Sequence, residues 1–228
     1  MPTQKAWTWV GAFGPDLMLC AASARVGPAR AAWWAVWDGD RLHERSFRRS
    51  GPVDVTPERV RVRGVLDLEL DPGAPWAVRT GSMWTRKRPA HVRGTALGRA
   101  LDLPGLIDES AGRHPSMTWW WSAGAGELAD GRAVTWNLVD GLHDGLQESE
   151  RAVWIGGVPR HVPPQPFHGL DGVGELRFTA VATRARRERL LLVASDYEQP
   201  FGSFAGSLPA AGELRSGWGV MERHRVRW

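Results

Sequence analysis

Residues 114–141 read HPSMTWWWSAGAGELADGRAVTWNLVDG, and the way this stretch folds decides the rest. Strand side chains alternate between faces. A first arm from Ser116 to Gly124 therefore puts Trp119 and Trp121 on one face and Thr118, Trp120 and Ser122 on the other. The Asp130-Gly131 pair then marks a tight turn, because both residue types tolerate positive φ. The return arm, Ala133 to Val139, sets Val134, Trp136 and Leu138 opposite Thr135, Asn137 and Val139. A β-hairpin with so many tryptophans builds either a thick core or an aromatic-walled pocket.

The same alternation runs outward in both directions. Trp7, Trp9 and Phe13 share a face, and Gly14-Pro15-Asp16 turns the chain into Leu17 to Ser23. Ala31 to Trp37 is apolar on both faces, and Asp38-Gly39-Asp40 is a second hairpin turn. Valines alternate with arginines over 59–63, and leucines alternate with acids over 66–71. Periodicity lapses over Ala100 to Arg113, which predicts a loop, and Thr183 to Arg189 predicts the single helical turn. Short strands with a turn signal every ~8 to 12 residues indicate an all-β sandwich or barrel with little helix.

Composition narrows the function. At 228 residues the chain can bury a sizeable core without disulfides. Its one cysteine, Cys20, lies in an apolar run and reads as a buried, inert thiol. A net charge of +4 spread along strands gives no nucleic-acid footprint. The N-terminus lacks an apolar signal region and no run reaches membrane-span length, so a cytoplasmic protein without stable membrane insertion is expected. No phosphate loop, nucleophile elbow or ligand spacing for a metal is present, so no cofactor is expected. His114, Asp140 and His143 could approach one another, but no ligand motif supports a metal there.

In the last strand Val220, Glu222, His224, Val226 and Trp228 share one face, and Met221, Arg223, Arg225 and Arg227 share the other. With the arginines in water, Glu222 and His224 point inward. A carboxyl among apolar groups has its charged form penalised, so Glu222 is a candidate proton donor, tuned by His224 or by His114 of the central segment. The competing reading is that Glu222 is ion-paired with an arginine such as Arg86. Trp119, Trp120, Trp121, Trp136, Asn137, Arg86 and Asp140 are the candidate ligand-binding residues, with Asn137 as the orienting polar group.

Trp121-Ser122, the N-L-x-x-G run Asn137 to Gly141, and the ending F-G-x-F-x-G-x-L…G…E-x-H…W over Phe201 to Trp228 carry a resemblance. They resemble an uncharacterised bacterial domain-of-unknown-function family of lipocalin-like proteins, similar to hydroxyneurosporene synthase (the carotenoid hydratase) and more remotely to tocopherol cyclase. Trp7 to Arg30 and Trp84 to Lys87 resemble an actinobacterial branch. The resemblance implies an antiparallel lipocalin-like (calycin-type) barrel or two tandem half-barrels, here 1–113 and 114–228. It also implies chemistry on polyene or prenyl substrates by protonation of a double bond without a cofactor. Larger members carry an extra N-terminal segment, which implies a reduced first barrel here. The acid- and histidine-rich pattern of the carotenoid hydratases is not reproduced around Trp119 to Trp121.

Three functions follow as alternatives. The first is binding of a small apolar molecule (lipid, polyene or polyketide) in a tryptophan-lined barrel cavity. The second is a cofactor-free hydratase, isomerase or cyclase, and the third an interaction protein with a filled core. A binder needs an open cavity, an enzyme also needs an unpaired inward acid, and a structural protein needs neither.

Overall fold

The computed structural model describes residues 4–48, 51–113, 116–146, 148–190 and 193–227. Among them there is no helix, and every element is a strand of an antiparallel ladder. The fold is all-β and lipocalin-like, built as two antiparallel sheets. The first comprises β1 (Gln4–Phe13), β2 (Met18–Val26), β3 (Ala29–Trp37), β4 (Leu42–Phe47), β5 (Val53–Val55), β6 (Arg59–Val62), β7 (Leu66–Pro72), β8 (Trp76–Thr80), β9 (Met83–Ala96) and β10 (Arg99–Arg113). Its spatial order is β4-β3-β2-β1-β10-β9-β7-β6-β5, with β8 also on β9.

The second comprises β11 (Ser116–Leu128), β12 (Ala133–Asp140), β13 (Ala152–Ile155), β14 (Val158–His161), β15 (Gly172–Val173), β16 (Leu176–Leu190), β17 (Val193–Ala205), β18 (Ser207–Leu208) and β19 (Gly212–Arg227). Its order is β14-β13-β12-β11-β19-β17-β16-β15, with β18 on β19. The first sheet thus has ten strands and the second nine.

The central hairpin forms as expected, β11 against β12, with Gly131 at φ +87° and its amide donating to the Leu128 carbonyl at 2.9 Å. Two expectations fail. Ala100 to Arg113 is not a loop but most of β10, a central strand between β1 and β9. Its charges hid it: Asp108 and Glu109 are strand residues matched by cations directly opposite on β9. Thr183 to Arg189 is not helical but the middle of β16, paired residue by residue with β17. Arg184 and Arg186 serve one face of the strand and Arg187 and Arg189 the other, and non-local pairing overrides local propensity.

Alternation gives each sheet two apolar faces and the molecule three main cores. Val10, Ala12, Leu19, Ala21 and Ile107 face the interior of the first half, which β5 to β7 close with Val60, Val62 and Leu68. Trp136, Leu138, Phe178, Phe204 and Met221 fill the second half. The intervening residues, Trp9, Phe13, Cys20 and Leu106 of the first sheet and Trp121, Ala123, Phe201 and Val220 of the second, form a shared core where the sheets meet. Trp76 and Trp154 stitch the halves with indole N–H donations to the carbonyls of Ser149 and Ala74, at 2.9 and 2.8 Å.

Candidate functional site

Cross-strand rows build a cavity between the sheets rather than inside either half. On the first sheet the register aligns Lys87, Asp108, Trp9, Ala22, Trp33 and Ser46 across β9, β10, β1, β2, β3 and β4. On the second, Trp121 stands opposite Glu222 and Gln199 opposite Arg184, across β11, β19, β17 and β16. The next row holds Trp119, His224, Tyr197 and Arg186. The two walls touch at Trp9 and Trp121, whose rings meet edge-on at 4.9 Å, and at Arg184, which donates to the Ser46 hydroxyl at 2.9 Å. The partly enclosed space between them is about 250 Å³, mostly apolar, and includes Trp7, Trp33, Phe47 and Met117 in its lining.

Glu222 faces this cavity from β19, where Val220 and Val226 share its face as alternation requires. Trp119 Nε1 donates to its Oε1 at 2.8 Å and Gln199 Nε2 to its Oε2 at 2.7 Å. Gln199 Oε1 meets the Cys20 thiol at 3.5 Å, which fits the orientation of that amide. No cation among the described residues forms an ion pair with Glu222. Burial, helped by the charge of Asp108, therefore pushes its carboxyl up to about 7 against the bonds from Trp119 and Gln199 and a weaker pull from the Tyr197 hydroxyl. Since both neighbours can only donate at these atoms, the proton of a neutral Glu222 must be directed elsewhere, toward the cavity or the Tyr197 hydroxyl.

Arg86 does not pair with Glu222. It sits on the opposite face of β9 from Lys87 and bonds Glu109 at 2.9 and 3.0 Å, where Arg88 joins at 2.8 Å. His224 does face the cavity, between the rings of Trp119 and Tyr197, with Nε2 at 2.9 Å from the Ser195 hydroxyl. Burial, with Arg184 nearby, pulls it down to about 3, so it is a neutral imidazole. His114 lies outside the described residues.

Trp119 and Trp121 line the cavity. Asn137 stands one layer behind, accepting from the Trp121 indole at 2.7 Å and donating to the Glu150 carbonyl at 2.8 Å. Trp136 belongs to the interior of the second half, its indole on the Ser122 hydroxyl at 3.1 Å. Trp120 shares the face of Trp136 and Ser122, away from the cavity, and Asp140 is exposed. Hydrophobicity alone gave no way to tell which of the two tryptophan faces was the open one.

A second charged group escaped the sequence reading. Lys87, buried on β9, meets Asp108 at 2.5 Å and Glu150 at 3.3 Å. Burial would lower Lys87, but its two carboxylates outweigh that and hold it above its usual value. Burial raises Glu150, against the attraction of Lys87, and its Oε2 has no hydrogen-bond partner. Glu150 comes from the segment after β12, which the buried Arg151 guanidinium fastens to the carbonyls of Asp144, Gly145 and Val162 at 2.9, 2.8 and 3.2 Å. Cys20 is buried and its thiol is pushed up to about 12, so it is inert.

The indole nitrogens of Trp9 and Trp33 and the Tyr197 hydroxyl are also buried along this cavity without a hydrogen bond of regular geometry. Among the described residues no group of three or more His, Cys, Asp or Glu side chains could hold a metal ion. Nor is any helix there long and apolar enough to cross a membrane.

A family model described as a domain of unknown function (DUF2804) matches residues 102–228, more than half of the chain. No curated protein matches the sequence. Among solved structures the chain is similar to a Nitrosomonas europaea protein described as a candidate AttH, with TM-score 0.53 and 15% identity over 96% of this chain and 92% of that one. It is also similar to kievitone hydratase of Nectria haematococca, with TM-score 0.50 and 11% identity over 96% and 88%. A third is CghA, with TM-score 0.50 and 10% identity over 99% and 88%. At these identities the likeness establishes a common fold.

Proposed function

This chain belongs to the domain-of-unknown-function family DUF2804, and we propose that it is a cofactor-free acid catalyst acting on an unsaturated apolar molecule held between its two sheets. One observation carries the reading: a buried carboxyl, Glu222, faces the cavity with hydrogen-bond donors on both oxygens and, among the described residues, no cation ion-paired with it. Such a group keeps a substantial share of its proton near neutral pH and can release it where the product cation is shielded by aromatic faces. Trp119, Trp121, Trp7 and Trp33 supply those faces. That one neighbour in fold is called a hydratase is compatible with this class of reaction.

In the proposed step the Glu222 hydroxyl bond breaks and its proton forms a bond to one carbon of a double bond. The electron pair of the π bond makes that C–H bond and leaves the neighbouring carbon positive. Water can then add, returning a proton to a carboxylate, which is hydration. A second double bond can attack instead and close a ring, which passes the positive charge to one of its own carbons until a proton is lost to a carboxylate or water adds, or an adjacent carbon can lose a proton at once and shift the double bond. In the last case Glu150 Oε2, which has no hydrogen-bond partner and lies beside Lys87, is the acceptor. Carotenoid- and tocopherol-type substrates, polyenes and prenyl chains, are the expected class.

The test is incubation in heavy water with polyene and prenyl probes. Mass spectrometry follows both the intact protein, for a bound adduct, and the extracted probe, for one incorporated deuterium. Glu222→Gln keeps the adduct and loses the deuterium if the reading holds. Undiminished deuterium incorporation by Glu222→Gln would leave the cavity as a binding site only.

A further inference from the structure

We infer that the occupant of this cavity is an amphipathic anion, which enters chain first and leaves its acidic head group on Arg48 and Arg186 at the edge formed by β4 and β16. The inference rests on the cavity proposed above and adds a head group and an orientation to it.

The two ends of the cavity carry opposite charge. At the β4–β16 edge, Arg186 meets Glu188 Oε1 at 2.7 Å, and Arg48 reaches the same oxygen at only 3.7 Å. Two guanidinium groups thus share one carboxylate, and the Arg48 side chain is 68% exposed, so most of its fork is free to bond. The neighbouring Arg184 has its own partner, Glu44, at 3.1 Å. The hydroxyls of Ser46 and Ser195 line the same edge. At the β9–β10 edge the excess is reversed, since Asp108 and Glu150 share the single Lys87. That group is shut in, with Lys87 only 2% exposed.

An anionic head group is repelled by the acidic end and satisfied by the basic one, whereas a plain hydrocarbon gains from neither. Phe47 and Trp33 stand beside the basic end, so an apolar chain attached to the head group meets aromatic surface at once. From Arg186 the row runs through Tyr197 to His224, beside Glu222, which is two strand spacings or about 10 Å. The bond that Glu222 protonates therefore lies several carbons from the head group.

Cis-parinaric acid and its methyl ester test this directly, because they share one polyene chain, differ in charge, and fluoresce when bound in apolar surroundings. Titrated at low ionic strength, the acid should bind about tenfold more tightly than the ester. A neutral rim, Arg48→Gln with Arg186→Gln and Glu188→Gln, should erase the preference and leave the ester within about twofold of wild type. Glu222→Gln should keep it. Equal binding of acid and ester to the wild-type protein, or a preference that survives the neutral rim, would overturn the head-group assignment while leaving the Glu222 chemistry standing. Failure of both probes to bind would remove the cavity reading along with it.

Discussion

An indole and an amide, not a guanidinium, hold the Glu222 carboxyl, and this gives the residue a pH signature. Its folded value of about 7 lies above the ordinary 4.5. Between those two values the native state keeps a proton that the unfolded chain has released, so folding stability falls as pH rises through that window. Above pH 7 the loss is complete, about 3 kcal/mol from this group. Glu222→Gln removes that share, and denaturant midpoints between pH 5 and 8 measure it. At pH 5 the same variant costs about 1 kcal/mol, because the Gln199 amide then faces another amide donor. Trp119→Phe deletes a bond that favours the charged form, and should move the midpoint of Glu222 further up. Arg86→Ala should leave it unmoved, since Arg86 serves Glu109 on the other face of its strand. A midpoint that rises in Arg86→Ala would restore the ion-pair reading.

Period-two alternation made β1, β3, β11, β12 and β19 legible in the sequence, with the inward direction of Glu222 and His224. It failed for β10 and β16, and for one reason. In both, charged side chains occupy strand faces because a partner strand supplies the opposite charge, as Lys87 does for Asp108 and Asp196 for Arg187. Such compensation is non-local and leaves no trace in a window of ten residues. The glycines of β11 make a separate demand. A Cβ on Gly124 would lie 2.2 Å from the Trp136 ring and 2.6 Å from the Trp218 carbonyl oxygen. Gly124→Ala should therefore cost about 1–3 kcal/mol, read as a lower urea midpoint at unchanged slope. An unchanged midpoint would mean that β11 and β19 can separate at no cost.

How the halves meet was not legible at all. Alternation tells which residues share a face, but not which faces of two sheets will be laid together. The sequence therefore suggested a cavity inside a barrel, and assigned Trp136 to its wall. The space that holds Glu222 lies between the halves, with residues from 7 to 224 around it, while a second and more open hollow of about 340 Å³ on the inner face of the first half is lined by Ala6, Thr8, Val53 and Val55. This placement makes Lys87 one of the links between the halves: it rises from the first sheet and meets Glu150 from the second half. Lys87→Met should strand two buried carboxylates and cost about 3–5 kcal/mol, measured by chemical denaturation. Lys87→Met with Asp108→Asn and Glu150→Gln should recover most of it, because no uncompensated charge remains.

The claim on which the rest depends is that Glu222 is a neutral acid in the space between the sheets. Carbon-13 NMR of the glutamate side-chain carboxyls, followed from pH 4 to 9 in wild type and in Glu222→Gln, tests it without knowledge of the substrate. The account predicts a glutamate resonance with a midpoint near 7 that is absent from the variant. If Glu222→Gln removes no resonance with a raised midpoint, the high titration belongs to another glutamate such as Glu150, Glu222 is ionised at neutral pH and the proton-donor reading is wrong.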